Sequence, residues 1–270
     1  MARPLWLVDL LRAGVPDRVK LAVATNWKPL GRLVEKWLFE GDDLVVLPID
    51  RVVTIGRNID DPGQFALPSQ VVEHFINQAE HHWIMNTCIC RHGSNCKDYP
   101  IDLGCLFLGE AVKGINPALG RLVSKEEALS HAKKCREAGL VHLIGRNKLD
   151  AVWLGVGPGN KLLTICNCCP CCCLWTWVPV ISSNISEKLY KLPGVDVKVT
   201  SACTGCGICA DGICFVNAIN MANGMAVIGE DCRGCGRCAA ACPVEAIKVE
   251  YDPSSVARSI GNIASLVDVK

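Results

Sequence analysis

The sequence predicts an α+β protein, with an N-terminal α/β-type, cysteine-rich part followed by a smaller C-terminal part built on a repeated cysteine pattern. Three observations predict it. Apolar residues at helical spacing recur through the first half of the chain, as at 4–13, 30–39 and 125–138. Short runs rich in β-branched residues lie between and after them, at 43–55, 140–144, 161–165, 195–200, 225–228 and 247–250. From residue 203 the chain writes one cysteine spacing twice, set off from what precedes it by Pro193-Gly194.

Taken in order, residues 4–13 place Leu7, Leu10 and Leu11 on one helical face, with Gly14 as the stop. Leu30, Val34, Trp37 and Leu38 do the same over 30–39, and Gly41 ends that helix. Core packing is the expected fate of both faces. Residues 43–55 read as one or two strands interrupted at Pro48, because proline removes a ladder donor. A helix is expected from Ser69, as N-cap, to about Met85, with Val72, Phe75, Ile76, Ala79 and Trp83 as its apolar stripe. Its opposite face carries Glu73, His74, Glu80 and His81 and reads as solvated. Ser124 followed by Glu127 is a capping box, predicting a helix over 125–138 that Gly139 stops. Cys135, on that helix, is expected to pack as a small hydrophobe. Residues 140–144 and 161–165 read as strands, and 156–160 between them as a turn, since Pro158 and the lack of a following helix exclude a phosphate loop. A short linking helix is expected over 182–192 and a weak one over 254–270.

Composition limits the functional classes. A formal net charge of +1 over 270 residues lacks the basic surplus of nucleic-acid binders. Nineteen cysteines in so long a chain do not suit a small secreted disulfide scaffold. The start, MARPLWLVDLL, carries Asp9 inside its apolar stretch and does not read as a signal peptide. The expected setting is therefore cytoplasmic, reducing and anaerobic. Residues 162–186 carry no charge, yet six cysteines, Asn167, Asn184, Pro170 and Pro179 argue against a membrane helix.

The repeated pattern carries the clearest chemistry. Cys232, Cys235, Cys238 and Cys242, followed by Pro243, form the Cys-x2-Cys-x2-Cys-x3-Cys-Pro run of bacterial [4Fe–4S] sites. Cys203, Cys206, Cys209 and Cys214 form the other copy, with one extra residue before Cys214 and Phe215 in place of the proline. Zinc ribbons use two Cys-x2-Cys pairs across a longer loop, which does not account for two three-cysteine runs each followed by a fourth. The segment resembles a bacterial-type two-cluster 2[4Fe–4S] ferredoxin domain. In that family the fourth cysteine of each run serves the other cluster. The resemblance implies Cys203, Cys206, Cys209 and Cys242 for one cluster, and Cys232, Cys235, Cys238 and Cys214 for the other.

Two upstream groups have no such family pattern. Cys88, Cys90, Cys96 and Cys105 are interleaved with Arg91, His92 and Lys97, a setting that suits metal ligation or activated thiolates. Cys166, Cys168, Cys169, Cys171, Cys172 and Cys173 place six thiols within eight residues, more than one cubane can use. These ten cysteines are candidate metal ligands, consistent with one or two additional iron–sulfur clusters, or with one cluster beside a redox-active dithiol. Trp175 and Trp177 are expected to shield that site. The tandem cysteines are similar to those of heterodisulfide reductase subunits and ferredoxin:thioredoxin reductase, but the spacings match neither.

The expected organisation is an N-terminal scaffold (1–65), a cysteine-rich redox or metal domain (66–193), a ferredoxin-like two-cluster domain (194–252) and a tail (253–270). The expected function is electron transfer: two [4Fe–4S] clusters relaying single electrons to a further cysteine-ligated centre, with a redox partner protein (an oxidoreductase) and neither nucleic acid nor membrane span. The alternative is a redox enzyme reducing a disulfide, corrinoid or similar acceptor at the upstream cysteines. Metal storage by the 166–173 run is a third class, disfavoured by the bulky apolar residues that flank it. No catalytic residue is assigned.

Overall fold

The computed structural model describes residues 3–55 and 66–270 and has the expected α+β character. The boundary expected at residue 65 lies outside the described residues. The chain opens with helices α1 (Leu5–Gly14), α2 (Arg18–Ala24) and α3 (Lys28–Val34), the last continued by a widened π-turn over Glu35–Phe39. Strand β1 (Asp43–Val46) and the short β2 (Val53–Ile55) follow on either side of Pro48, as expected. Helix α4 (Gln70–Gln78) leads to β3 (His82–Met85) and the one-turn α5 (Ile89–Gly93). Then come β4 (Leu106–Leu108), β5 (Gly120–Val123), α6 (Lys125–Glu137), β6 (Val141–Arg146), α7 (Lys148–Leu154) and β7 (Leu163–Cys168). A single turn α8 (Ser183–Ser186) and β8 (Leu189–Lys191) precede the cysteine repeat. The repeat carries β9 (Asp196–Val199), β10 (Ile219–Ala222), β11 (Met225–Ile228), α9 (Arg237–Ala241) and β12 (Ile247–Tyr251), and α10 (Ser254–Leu266) closes the chain.

Seven strands form the main sheet in the order β5-β3-β4-β7-β6-β1-β8, antiparallel throughout except for the parallel β1–β8 pair. It takes its strands from both sides of residue 65. A second sheet, β2-β12-β9, joins Val53–Ile55 to the C-terminal repeat through the parallel β2–β12 pair. β10 and β11 form a hairpin on Asn223-Gly224, both with positive φ (49° and 75°), the conformation a two-residue type I′ turn requires.

The two-residue period of the strands sorts side chains between two cores. Val45, Leu47, Ile144, Leu163 and Ile165 face one core, under α4, α6 and α10. Leu44, Val46, Leu143 and Cys168 face the other, which holds Phe39, Trp175 and Trp177. Phe39, Trp175 and Trp177 meet edge-to-face at 5.8–6.3 Å, the geometry favoured by ring quadrupoles.

Four expectations are corrected. The helix from Ser69 ends at Gln78, not Met85: Ala79 turns extended, and 82–85 becomes a fully buried strand between β4 and β5. Ser69 makes no side-chain cap; its backbone N–H instead donates to Asp50 Oδ1 at 3.0 Å. The helix expected over 182–192 is one turn only, because Leu189–Lys191 gains a ladder partner in β1. The apolar faces of the first helices are core only in part: Val34 and Leu38 pack against the tryptophan core. Trp6, Trp27 and Trp37 are about two-thirds exposed, and Leu10 and Leu11 also lie open. The capping box forms as expected, with Ser124 Oγ accepting from the Glu127 N–H at 3.2 Å.

Candidate metal centres

In the C-terminal repeat the two cysteine runs form matching loops. Gly205 and Gly207 have φ of 70° and 78°, and Gly234 and Gly236 have 66° and 80°. These left-handed residues let the backbone wind tightly around one point, so that every third side chain points inward. A Cβ on Gly205 would sit 2.3 Å from the Gly224 carbonyl oxygen, and one on Gly236 2.7 Å from Val52 Cγ2. The match extends beyond the loops. Asn217 and Glu245, each three residues after the fourth cysteine, both have positive φ (50° and 49°). Ala218 N–H donates to Cys214 Sγ and Ala246 N–H to Cys242 Sγ, each at 3.2 Å. The extra residue of the first copy is taken up in the 209–214 loop, where Gly212 is left-handed (φ 65°).

The sulfurs fall into two sets. Cys203, Cys206, Cys209 and Cys242 line one small recess with Pro243 and Ile247. Cys209 has its thiol pushed up by burial and by the nearby sulfurs of Cys203, Cys206 and Cys242. Cys238 has its thiol pushed up by burial and by Cys235, Cys232 and Cys214. The sets differ in depth: Cys206 is exposed, whereas Cys235 and Cys238 are buried. Donor sets made only of sulfur, with backbone N–H groups turned toward them, fit an iron–sulfur cluster.

The upstream cysteines divide differently from their order in sequence. Strand alternation puts Cys166 and Cys168 on the tryptophan-lined face of the sheet. β4 pairs with β7 in the register Leu106↔Ile165, so Cys105 lies beside Cys166, with Sγ atoms 3.9 Å apart. Cys88 and Cys90 arrive from the turn into α5, and Cys173 folds back to place its Sγ 2.9 Å from that of Cys168. These six thiols, with Cys169 beside them, line one wall of an apolar cavity of about 500 Å³. Its other wall is built from α1, α2 and the 30–39 segment, including Leu10, Leu21, Val34 and Phe39. The same cavity that separates Leu10 and Leu11 from the sheet leaves them out of the core.

Charge at this chamber is concentrated on few groups. Arg91 is 1% exposed. Its guanidinium donates to the carbonyl oxygens of Asn167, at 2.7 Å, and Leu103. Burial works against its charge, but the sulfurs of Cys88, Cys169, Cys105 and Cys168 outweigh that and raise its pKa. Cys168 is held well below the usual thiol range by donation from Cys166 and Cys173, with Arg91 and Arg237 adding to the effect. Cys88 is lowered to about 7, chiefly by donation from Cys90 and then by Arg91. Asp150, also on the wall, accepts from Asn147 Nδ2 (2.7 Å), Trp153 Nε1 (2.7 Å) and Thr164 Oγ1 (2.9 Å), and burial raises it to about 6. Trp177, another wall residue, keeps its indole N–H buried without a hydrogen-bond partner, a donor suited to an inorganic sulfide or thiolate.

Cys96, Cys169, Cys171 and Cys172 form a second group, with their Sγ atoms within 4.8 Å of one another, and Cys169 also borders the chamber. Cys135 joins neither set. It is fully buried on α6, its Sγ 3.6 Å from His131 Nε2, and burial raises its thiol to about 12, in keeping with a packed residue. His81 faces Glu110 Oε2 at 3.4 Å and His74 packs edge-on to Phe75, so neither serves a metal group. Spacing alone did not single out Arg91 as a bridge, nor Arg237, Asn167 or Asp150. Arg91 had a signal, a cation inside a cysteine-rich loop; the others depend on long-range packing.

A family model for the LdpA Fe-S cluster-binding domain matches residues 210–252, which include Cys214 and the whole second run. No curated protein and no solved structure matches the chain. Among the described residues no helix is long and apolar enough to cross a membrane. The chain thus carries an iron–sulfur cluster-binding domain at its C-terminal end.

Proposed function

We propose that the chain relays single electrons between a redox partner protein and a centre in the six-thiol chamber, through a two-cluster module at residues 194–252. In this reading Cys203, Cys206, Cys209 and Cys242 hold one [4Fe–4S] cluster, and Cys214, Cys232, Cys235 and Cys238 the other. Such clusters supply reversible one-electron chemistry when bound. Residues 66–193 form the cysteine-rich domain that the module serves, supported by the 1–65 scaffold and the 253–270 tail. An anaerobic cytoplasm suits so many thiolates.

The observation that carries the reading is the contact between module and chamber. Arg237, between Cys235 and Cys238, donates to the Cys168 carbonyl oxygen and lies 5.9 Å from the centre of the Tyr99 ring. Cys235 shares a buried core with Cys168, Cys173, Trp175 and Trp177. The exposed Cys206 marks the partner-facing end and the buried Cys235 the chamber-facing end. Residues Arg91 and Arg237 offset thiolate charge along this route, and Trp175 and Trp177 exclude water from its inner end.

Iron and acid-labile sulfide counts on anaerobically purified protein test it. More than about eight irons per chain are expected, since two cubanes account for eight. Loss of an upstream EPR signal in Cys88→Ala, with the module signals kept, would place the further centre in the chamber; fewer than eight irons would refute the two-cluster module. The cavity and Asp150 favour a second reading, in which the chamber thiols reduce a small disulfide, corrinoid or similar acceptor and Asp150 supplies a proton. About eight irons together with turnover of such an acceptor would favour it.

A further inference from the structure

We infer that Cys96, Cys169, Cys171 and Cys172 bind a single zinc ion, separate from any cluster in the chamber or the C-terminal module. Geometry is the first argument. A tetrahedral ion with thiolates at about 2.3 Å places its sulfurs about 3.8 Å apart. Cys96 Sγ lies 3.7 Å from Cys171 Sγ, Cys171 Sγ lies 3.6 Å from Cys172 Sγ, and all four sulfurs fall within 4.8 Å of one another. A cubane spreads its thiolates over four irons and needs them further apart than one ion does.

The backbone around the group is the second argument. Cys172 N–H donates to Cys169 Sγ at 3.3 Å, and the N–H groups of Asp98 and Tyr99 turn toward Cys96. Donation of this kind stabilises thiolates, and the 169–172 turn holds three of them with Pro170 between the first two. The set is also closed. Four thiolates leave no open position, the pattern of structural zinc rather than of a catalytic site. Cys96, Cys169 and Cys172 are buried, and Cys171 alone meets solvent. The fifth nearby thiol, Cys135, is turned to His131 and takes no part.

The position gives the ion a task. It ties the loop after α5 to the turn after β7. That holds the Cys88, Cys90 and Cys105 part of the thiol wall beside the Cys166, Cys168 and Cys173 part. Tyr99, three residues after Cys96, meets Arg237 of the module, with Nη1 3.4 Å from the phenol oxygen. The same ion therefore steadies the contact between chamber and module. Binding releases the protons of those thiols that are still protonated and changes no oxidation state. The inference does not rest on the electron-relay reading, because it concerns a redox-inactive ion and four thiols that the relay does not use.

Metal analysis of the full-length protein tests it. About one zinc per chain beside the iron is expected, and X-ray absorption at the zinc edge should show four sulfurs at about 2.3 Å. Cys96→Ser and Cys171→Ser should each lose that zinc while leaving the iron count unchanged, and Cys135→Ser should lose neither metal. Absence of zinc from wild type, zinc bound by nitrogen or oxygen, or a fall of about four irons in Cys96→Ser would overturn the assignment. The absorption measurement needs no variant, so a failure of Cys96→Ser to fold leaves the test intact.

Discussion

Replacing Arg91 with methionine keeps the apolar stem and removes the guanidinium from the middle of the upstream thiols. Two hydrogen bonds are lost, to the carbonyls of Asn167 and Leu103, and Cys88, Cys105, Cys168 and Cys169 lose the cation that faces them. Charge-assisted bonds are worth about 1.5–3 kcal/mol each. Breaking a buried charge pair by removing one partner costs about 3–5 kcal/mol. The two figures describe the same loss and are not added, so about 3–5 kcal/mol of destabilisation is expected. For a chain of this size that lowers the thermal midpoint by roughly 10 °C, at about 2–4 °C per kcal/mol. Arg91→Lys keeps the charge but cannot donate to both carbonyls in the planar geometry, so an intermediate loss is expected. The electrostatic role is read separately, by anaerobic redox titration. The midpoint potential of the centre proposed for the chamber should move negative in the methionine variant and much less in the lysine variant. An Arg91→Met protein that melts within about 2 °C of wild type and keeps its potential would refute the bridging role.

Burial raises Asp42 to about 7, so the folded state favours the neutral carboxyl while the unfolded chain ionises near the ordinary value of 3.8. The folded state then binds more protons between these values, and stability falls as pH rises, by about 1.4 kcal/mol from pH 6 to pH 8 for this group. Asp42→Asn, which can still accept from the Lys148 N–H, should flatten that slope in denaturant titrations at the two pH values; an unchanged slope would show that Asp42 is ionised throughout. Gly205→Ala forces a Cβ to 2.3 Å from the Gly224 carbonyl oxygen and should remove about four irons per chain. Gly212→Ala, also at positive φ but with nothing within 4 Å, should cost only about 1 kcal/mol and keep the iron; equal effects would refute the packing argument. Cys135→Ala should cost about 1–2 kcal/mol in chemical denaturation, as a small cavity does, with unchanged metal content; metal loss would make Cys135 a ligand.

Where local signals were strong, the fold was legible. Ser124 and Glu127 cap α6 as their spacing requires, and the break at Pro48 separates β1 from β2. Where a segment's partner lay far along the chain, the local signal misled. Residues 82–85 share helical spacing with α4 but become strand because β4 and β5 offer ladder partners on both sides. Residues 189–191 follow a helical turn but pair with β1. The first helices look like core segments, yet one side borders the thiol chamber and the other meets solvent.

The cysteine spacing at 203–242 by itself pointed to iron–sulfur cluster binding by the C-terminal repeat, because loops that short leave each run little freedom in where its sulfurs point. Only the tertiary structure decided how the other thiols group. Cys88, Cys90 and Cys105 join Cys166, Cys168 and Cys173, while Cys96 joins Cys169, Cys171 and Cys172. Adjacent cysteines in the 166–173 run go to different sites because strand alternation and the turn after β7 send them in different directions. Their partners come from a loop more than 60 residues away, placed by the β4–β7 register. Spacing reports short-range geometry; the sheet supplies the rest.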